Sequence, residues 1–365
     1  MRFSKNKKKK ILIGFVNQDF SGPIPTITKS FVDGLSWKYD FKVFHMNRSK
    51  YNLQRKFNFI NIFYFIIHYL SWINYIVKFK PDIVHFPVTS YWNLEKSLFF
   101  LKTARTLGAK VVIGHLHGGS FNDFWNNLKE PRKSLAKRWL ESLDHFIVLG
   151  QFWKNFFNDK VNFKSISIVN NPIDINFEKS FNDFSRDYSK NSCLFVGSIG
   201  MRKGCYDIVD SFKKFPIDNI VNIVGPEEDV GDIKKIKNLI NENNIININI
   251  KRSAYGLDKI NYFKNNGIFL FPSHNENLPL VIIEAACASL PIITTPVGAL
   301  PEFFTHLKDI YFIEPGNISD IKKAIDFFNK YPDKRLEIGR EARNTFEVLL
   351  SRDKIIDQLD KVYSS

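Results

Sequence analysis

Short apolar runs alternate with longer, helix-length stretches along most of this chain, and no other feature constrains its fold as strongly. In the first half the runs are Ile11–Val16, Phe41–His45, Ile83–Phe86, Val111–His115 and His145–Leu149. Each is rich in β-branched and aromatic residues, as strands buried on both faces are. Between them, stretches such as Thr26–Trp37 and Leu94–Leu107 suit helices, and Pro81-Asp82 and Gly108 mark turns back into strands. After a polar segment the alternation restarts, with strands expected at Cys193–Val196, Asn219–Val224, Ile245–Ile250, Ile268–Pro272, Pro291–Thr294 and Tyr311–Ile313. Repeated units of this kind predict doubly wound parallel sheets. The expected class is therefore α/β: two Rossmann-like domains, with a cleft between them as the ligand site. Residues 1–175 are assigned to the first domain, 176–191 to a linker and 192–345 to the second.

The charge is divided unevenly between these halves. The 365 residues carry 52 Lys+Arg and 37 Asp+Glu, a net charge of +15. Residues 1–190 hold 30 of those basic residues and 14 of the acidic ones, so the rest of the chain is close to neutral. A basic half implies an anionic counterpart: nucleic acid, an anionic membrane or a phosphorylated ligand. Nucleic acid is disfavoured, because no basic tract extends beyond Lys7–Lys10 and no reading motif is present. Cys193, Cys205 and Cys287 are odd in number and lack ligand spacing, which argues against a disulfide framework or a cysteine zinc site. The basic N-terminus runs into only six apolar residues, too few for a secretory signal, so Ile11–Val16 reads as a strand. The expected compartment is the cytoplasm.

Between Lys56 and Lys78 lie 21 residues without a charge. That length would span a bilayer. Asn61, His68, Ser71 and Asn74 interrupt the run near one side of a helix, which favours a domain helix. A membrane-surface contact is the second reading and a true span the third.

The segment with most chemistry is Phe271–Glu302. A strand ends at Pro272, a loop carries Ser273–Pro279, and a helix starts near Leu280. The N–H groups at that helix start, with the positive end of its dipole, make an anion site suited to a diphosphate. Pro279 needs no N–H partner there. Glu276 on the loop can accept hydrogen bonds from sugar hydroxyls, and Glu284, one turn into the helix, from a ribose diol. The loop Gly197–Gly204 also joins a strand to a helix, and its Lys203 offers a mobile cation beside glycines that allow close approach.

With seven residues between Glu276 and Glu284, the segment resembles the E-x7-E motif of the retaining nucleotide-sugar glycosyltransferases of family 4, which have the GT-B fold. The resemblance runs on through Ala285, Pro291, Gly298 and Glu302. Further matches are His117-Gly118-Gly119, Asn171-Pro172-Ile173-Asp174, Phe195-Val196-Gly197, Lys203-Gly204 and Val224-Gly225-Pro226. It implies that a C-terminal segment of roughly 346–365 returns to the first domain. It implies catalytic roles for His117, Lys203 and Glu276. Donor contacts would come from Gly22, Gly197, Arg202, Lys203, Gly225, Glu276, Asn277, Leu278, Pro279, Leu280, Val281 and Glu284.

Two departures stand out. Ser198 replaces the arginine that often follows the first glycine of the Gly197 loop, so either Arg202 compensates or the diphosphate is held with one fewer charge. Gly22 is followed by Pro23 where relatives often carry a glycine pair. His115 and His117 are expected on opposite faces of their strand end, with His117 reaching the cleft and His115 buried in the sheet.

The implied reaction is transfer of a sugar from a nucleoside-diphosphate sugar, with retention, to a saccharide or lipid-linked acceptor in bacterial surface polysaccharide synthesis. No metal and no cofactor are expected, since Lys203, Arg202 and helix N–H groups would carry the leaving charge. The basic half would meet the acceptor and an anionic membrane surface, making the protein peripheral at the inner face. Other readings are a phosphorylase or sugar-nucleotide epimerase of the same fold, or an inactive glycosyltransferase-like subunit.

Overall fold

The computed structural model describes residues 8–16, 23–45, 59–119 and 121–365. It divides into two units, Met1–Pro172 with Ile355–Ser365, and Ile173–Lys354. The first holds a parallel sheet of β1 (Lys10–Val16), β2 (Asp40–His45), β3 (Ile83–Val88), β4 (Val111–Leu116), β5 (His145–Val148) and β6 (Ile166–Ile168), in the order β2-β1-β3-β4-β5-β6. Every residue of β3 is buried. β6 escaped the sequence reading because Ile-Ser-Ile is too short a run to register.

The 59–79 segment is a helix of this unit, Phe59–Phe79. Phe65, Tyr69, Trp72 and Ile76 form its inner face against the core. Trp72 is fully buried, and its indole N–H donates to the Phe100 carbonyl at 3.0 Å. The chain's last helix, Arg352–Ser364, also ties into this unit. Asp360 accepts from Lys38 (2.7 Å) and Tyr39 (2.7 Å), and Tyr363 bonds His85 at 2.6 Å. The residues that return begin at Ile355; the single π-turn Phe346–Leu350 stays with the second unit.

The second unit holds β7 (Cys193–Val196), β8 (Val221–Val224), β9 (Ile248–Lys251), β10 (Ile268–Phe271), β11 (Ile292–Thr294) and β12 (Tyr311–Phe312), again parallel, in the order β12-β11-β10-β7-β8-β9. The chain builds outward from β7 to β9, then crosses back to place β10 on the other side of β7. Loops that leave neighbouring strands in opposite directions open a crevice at their carboxyl ends, the usual ligand position of such sheets.

The expected linker at 176–191 is corrected by the structure. It is built into the second unit, with a short helix at Ile175–Lys179 and buried Phe177 and Phe181. Its anchor is Arg186, buried, which donates to the carbonyls of Ala288 (2.7 Å), Asn266 (2.9 Å) and Phe263 (2.9 Å). Replacing Arg186 by methionine leaves three carbonyls short of a donor, and is expected to cost about 2–3 kcal/mol. Thermal unfolding would read this as a lower melting temperature. A melting temperature unchanged from the parent would show that the segment behaves as the linker its composition suggested.

Candidate functional site

In the second unit, the loops after β7, β8 and β10 meet at the β7/β10 crossover. Two glycines permit this. A Cβ on Gly225 would lie 1.8 Å from the Gly197 carbonyl oxygen, so only hydrogen lets the β7 and β8 loops touch. Gly204 has φ +76°, and a Cβ there would lie 2.1 Å from the Pro272 oxygen. The β7 and β10 loops are then joined by backbone: the His274 N–H donates to the Arg202 carbonyl at 2.8 Å.

This backbone frame places Lys203 against the β10 loop. Its ammonium forms an ion pair with Glu276 and lies 5.2 Å from the centre of the Phe271 ring. Only 15 % of the Lys203 side chain is exposed. Burial pushes the lysine below its ordinary pKa, Glu276 pulls it back up, and the nearby Arg202 charge adds to the lowering. The Ser273 hydroxyl, fully buried, donates to Glu276 at 3.0 Å and fixes its orientation. Arg202 lies further out and is shared: it pairs with Glu228 at 2.7 Å and approaches Glu276 only to 3.6 Å.

The helix Leu280–Cys287 starts from Pro279, and no side chain caps it. Its first-turn residues Leu280 and Val281 are half-buried. Glu284 is buried and paired with Lys259 at 2.6 Å. Burial raises its pKa, Lys259 opposes that, and Asp174 adds to it. Its second oxygen, Oε2, has no partner. Nor do both polar atoms of the buried Asn277 side chain, nor Oδ1 of Asn275. Buried polar groups are ordinarily satisfied, so these atoms, gathered on one loop and the next helix, are available to bond a ligand or water.

The structure thus gathers Gly197, Arg202, Lys203, Gly225, Glu276, Asn277, Leu278, Pro279, Leu280, Val281 and Glu284 in one unit. Two of these have sharper roles than the sequence suggested. Leu278 is a core side chain, so only its backbone can face a ligand. Gly225 is consumed by the approach to Gly197. Lys259 and Glu228 were missed, and no sequence signal marks them: each is a counter-charge supplied by a distant element. Among the described residues no group of three or more His, Cys, Asp or Glu is placed to hold a metal.

Gly22 lies outside the described residues. His117 belongs to the first unit, directly after β4, where its N–H donates to the Val88 carbonyl at 2.9 Å. The expectation that His115 and His117 face opposite sides is wrong. Their ring centres are 4.2 Å apart, because residues two apart on a strand share a face. Burial lowers the His117 pKa to about 4.

Residues 176–345 match the model of the glycosyl transferases group 1 family. That match covers most of the second unit and stops short of the first. A capsular polysaccharide biosynthesis glycosyltransferase of Staphylococcus aureus, CapM, is 25 % identical over 240 residues, covering 62 % of this chain and 60 % of CapM. The chain thus spans about three fifths of that relative's length. Among solved structures, sucrose-phosphate synthase of Thermosynechococcus elongatus superposes with a TM-score of 0.77 at 14 % identity, covering 98 % of both chains. Anabaena HepE, in complex with UDP and glucose, gives 0.74 at 13 % identity, covering 97 % of this chain and 99 % of HepE. With its two parallel six-stranded sheets, the chain has the GT-B fold these neighbours share. The Lys203–Glu276 pair and the unpaired atoms around Glu284 all lie within the residues matched as the group 1 domain.

Proposed function

We propose that this chain is a retaining hexosyltransferase of the family 4 type. It takes a sugar from a nucleoside-diphosphate sugar and gives it to a saccharide acceptor, carried on a lipid, in bacterial surface polysaccharide synthesis. The observation that carries the reading is the set of unpaired buried atoms on Asn277 and Glu284 close to Lys203, a lysine with little exposure. Together they ask for hydroxyl donors and an anion at once, the chemistry of a sugar nucleotide. The capsular polysaccharide relative and the UDP complex of HepE support the same class.

In this reading Glu284 Oε2 accepts from the ribose, and the Leu280 helix start faces the diphosphate. Glu276 holds Lys203 in place while the site is empty, then turns its oxygens to the sugar. As the bond from the anomeric carbon to the diphosphate oxygen breaks, Lys203, aided by Arg202, takes up the growing negative charge. The acceptor oxygen bonds to the same face of that carbon, and its proton passes to the departing phosphate. His117 of the first unit supplies a neutral N–H to a hydroxyl. No metal is needed, because the cations are side chains. The basic first unit takes the acceptor at an anionic membrane, on the cytoplasmic side.

A panel of sugar nucleotides tests the donor. One of them is expected to raise the melting temperature, by binding the native state alone. Glu284→Ala is expected to weaken that donor about tenfold or more, since two ribose hydroxyls lose an ionised acceptor. Its partner Lys259 is partly exposed and stays solvated. An unaltered donor affinity would overturn the ribose assignment. Transfer is also expected to persist in EDTA; its loss, restored by a divalent ion, would overturn the metal-free mechanism.

A further inference from the structure

We propose that the outer face of the helix Phe59–Phe79 lies flat in the headgroup layer of an anionic membrane. This rests on the membrane placement proposed above and names the surface that makes it. The helix is two-faced in an unusual way. Its inner face, Phe65, Tyr69, Trp72 and Ile76, is packed in the first unit's core. The opposite face should then be polar, and it is not. Phe63 is 61 % exposed, Leu70 60 % and Val77 53 %, with Ile62, Ile66 and Ile67 also exposed. The spacing 63, 66, 70, 77 sets these side chains on one stripe of the helix. Asn74 is the exposed polar residue within it.

Charge selects the occupant. From Phe41 to Pro81 the chain has no acidic residue, while Lys42, Arg48, Lys50, Arg55, Lys56, Lys78 and Lys80 are all basic. Several cations gather at the helix's C-terminal end. The Lys10 ammonium donates to the Phe79 carbonyl at 3.0 Å, Lys42 lies 5.0 Å from the Tyr75 ring centre, and Lys78 and Lys80 are exposed. An apolar stripe flanked by lysines is the pattern of an interfacial helix on anionic lipid. A second copy docked on the same face would bring like charges together. A span is ruled out by packing. Trp72 is buried and bonded to Phe100, and Tyr69 bonds Thr103 at 3.0 Å, so lipid cannot surround the helix.

The test uses the full chain with vesicles of phosphatidylcholine alone or mixed with phosphatidylglycerol. Flotation is expected with the anionic vesicles and is expected to weaken in high salt. The double variant Phe63→Glu/Leu70→Glu is expected to lose about tenfold or more in partitioning. Both positions are exposed, so its melting temperature should match the parent. Leu70→Cys carrying an environment-sensitive dye reads insertion directly, because the three native cysteines are buried. Its emission should rise and shift to the blue on anionic vesicles only. Unchanged emission, unchanged partitioning of the double variant, or a dimer in solution that this variant splits would each overturn the proposal. Sugar transfer to a soluble acceptor is scored in parallel. Binding without transfer would sink the enzymatic reading and leave the docking surface; transfer without binding would do the reverse.

Discussion

Replacing Lys203 by alanine is expected to lower kcat about 100- to 1000-fold at saturating donor, with a smaller change in donor affinity. The reason is where the charge sits. Lys203 is held between Glu276 and the Phe271 ring with little access to water, so its field acts in a medium that screens it poorly. A diphosphate gains negative charge as the sugar departs, so a fixed cation binds the transition state more tightly than the ground state. Burial lowers the lysine's pKa, but Glu276 opposes that, and an incoming diphosphate adds charge in the same direction. Both negative neighbours thus favour the charged ammonium over the neutral amine. Arg202 makes a useful contrast. It is 44 % exposed and already bonded to Glu228, so Arg202→Ala is expected to cost no more than about tenfold. Single-turnover transfer with the preferred donor would separate the two. Because alanine at 203 also strands Glu276, the double variant Lys203→Ala/Glu276→Gln should remain as slow as the single one. Equal losses for Lys203→Ala and Arg202→Ala, or recovery in the double variant, would remove Lys203 from the chemistry.

What could be read beforehand follows from how each feature is encoded. Strands buried on both faces must be apolar throughout, so β3, β7 and β10 stand out as runs, and their alternation with helices yields both sheets. The loops after β7 and β10 carry a long motif in which glycine, proline and carboxylate positions are each forced by geometry. Partners recruited across the fold leave no such trace. Lys259 and Glu284 are 25 residues apart, and nothing local in the segment around Lys259 announces a counter-ion. Arg186 misled for a related reason: a polar segment reads as linker, while the carbonyls that satisfy its guanidinium lie 77 to 102 residues away. The outer face of the Phe59–Phe79 helix was ambiguous because hydropathy does not say which side of an apolar helix the core will take.

Lowering the pH from 7 towards 5 is expected to destabilise the first unit well before the second, and the histidines explain why. His85 Nε2 lies 3.2 Å from His115 Nδ1, His115 packs on His117, and Tyr363 closes the row at His85. Phe31 stacks on His85 and His115 at 6.1 Å. Burial pushes His85 down to about 3, with further lowering from His117 and His145. Burial likewise sets His115 well below its ordinary value and His117 at about 4. In the folded unit these rings stay neutral, while in the unfolded chain they bind protons below about pH 6.5. Their contribution is therefore full above that value and is lost as pH falls towards the folded pKa values. Each ring removes about 1 kcal/mol per pH unit, so three together are a large fraction of a domain's stability. In the second unit, burial raises Glu284, Asp207 and Asp309 instead. Raised carboxylates act in the opposite sense: their contribution is present at low pH and lost as pH rises through the folded value. Calorimetry at pH 7 and pH 5 should therefore resolve an early transition at the lower pH, and hydrogen exchange should assign it to β3 and β4. Softening of both units together would contradict this account. The same shift bears on turnover. A His117 that stays neutral from pH 6 to 8 leaves no inflection of its own in kcat, so an inflection near 6 that disappears in His117→Asn would mean that the ring takes up a proton during the reaction.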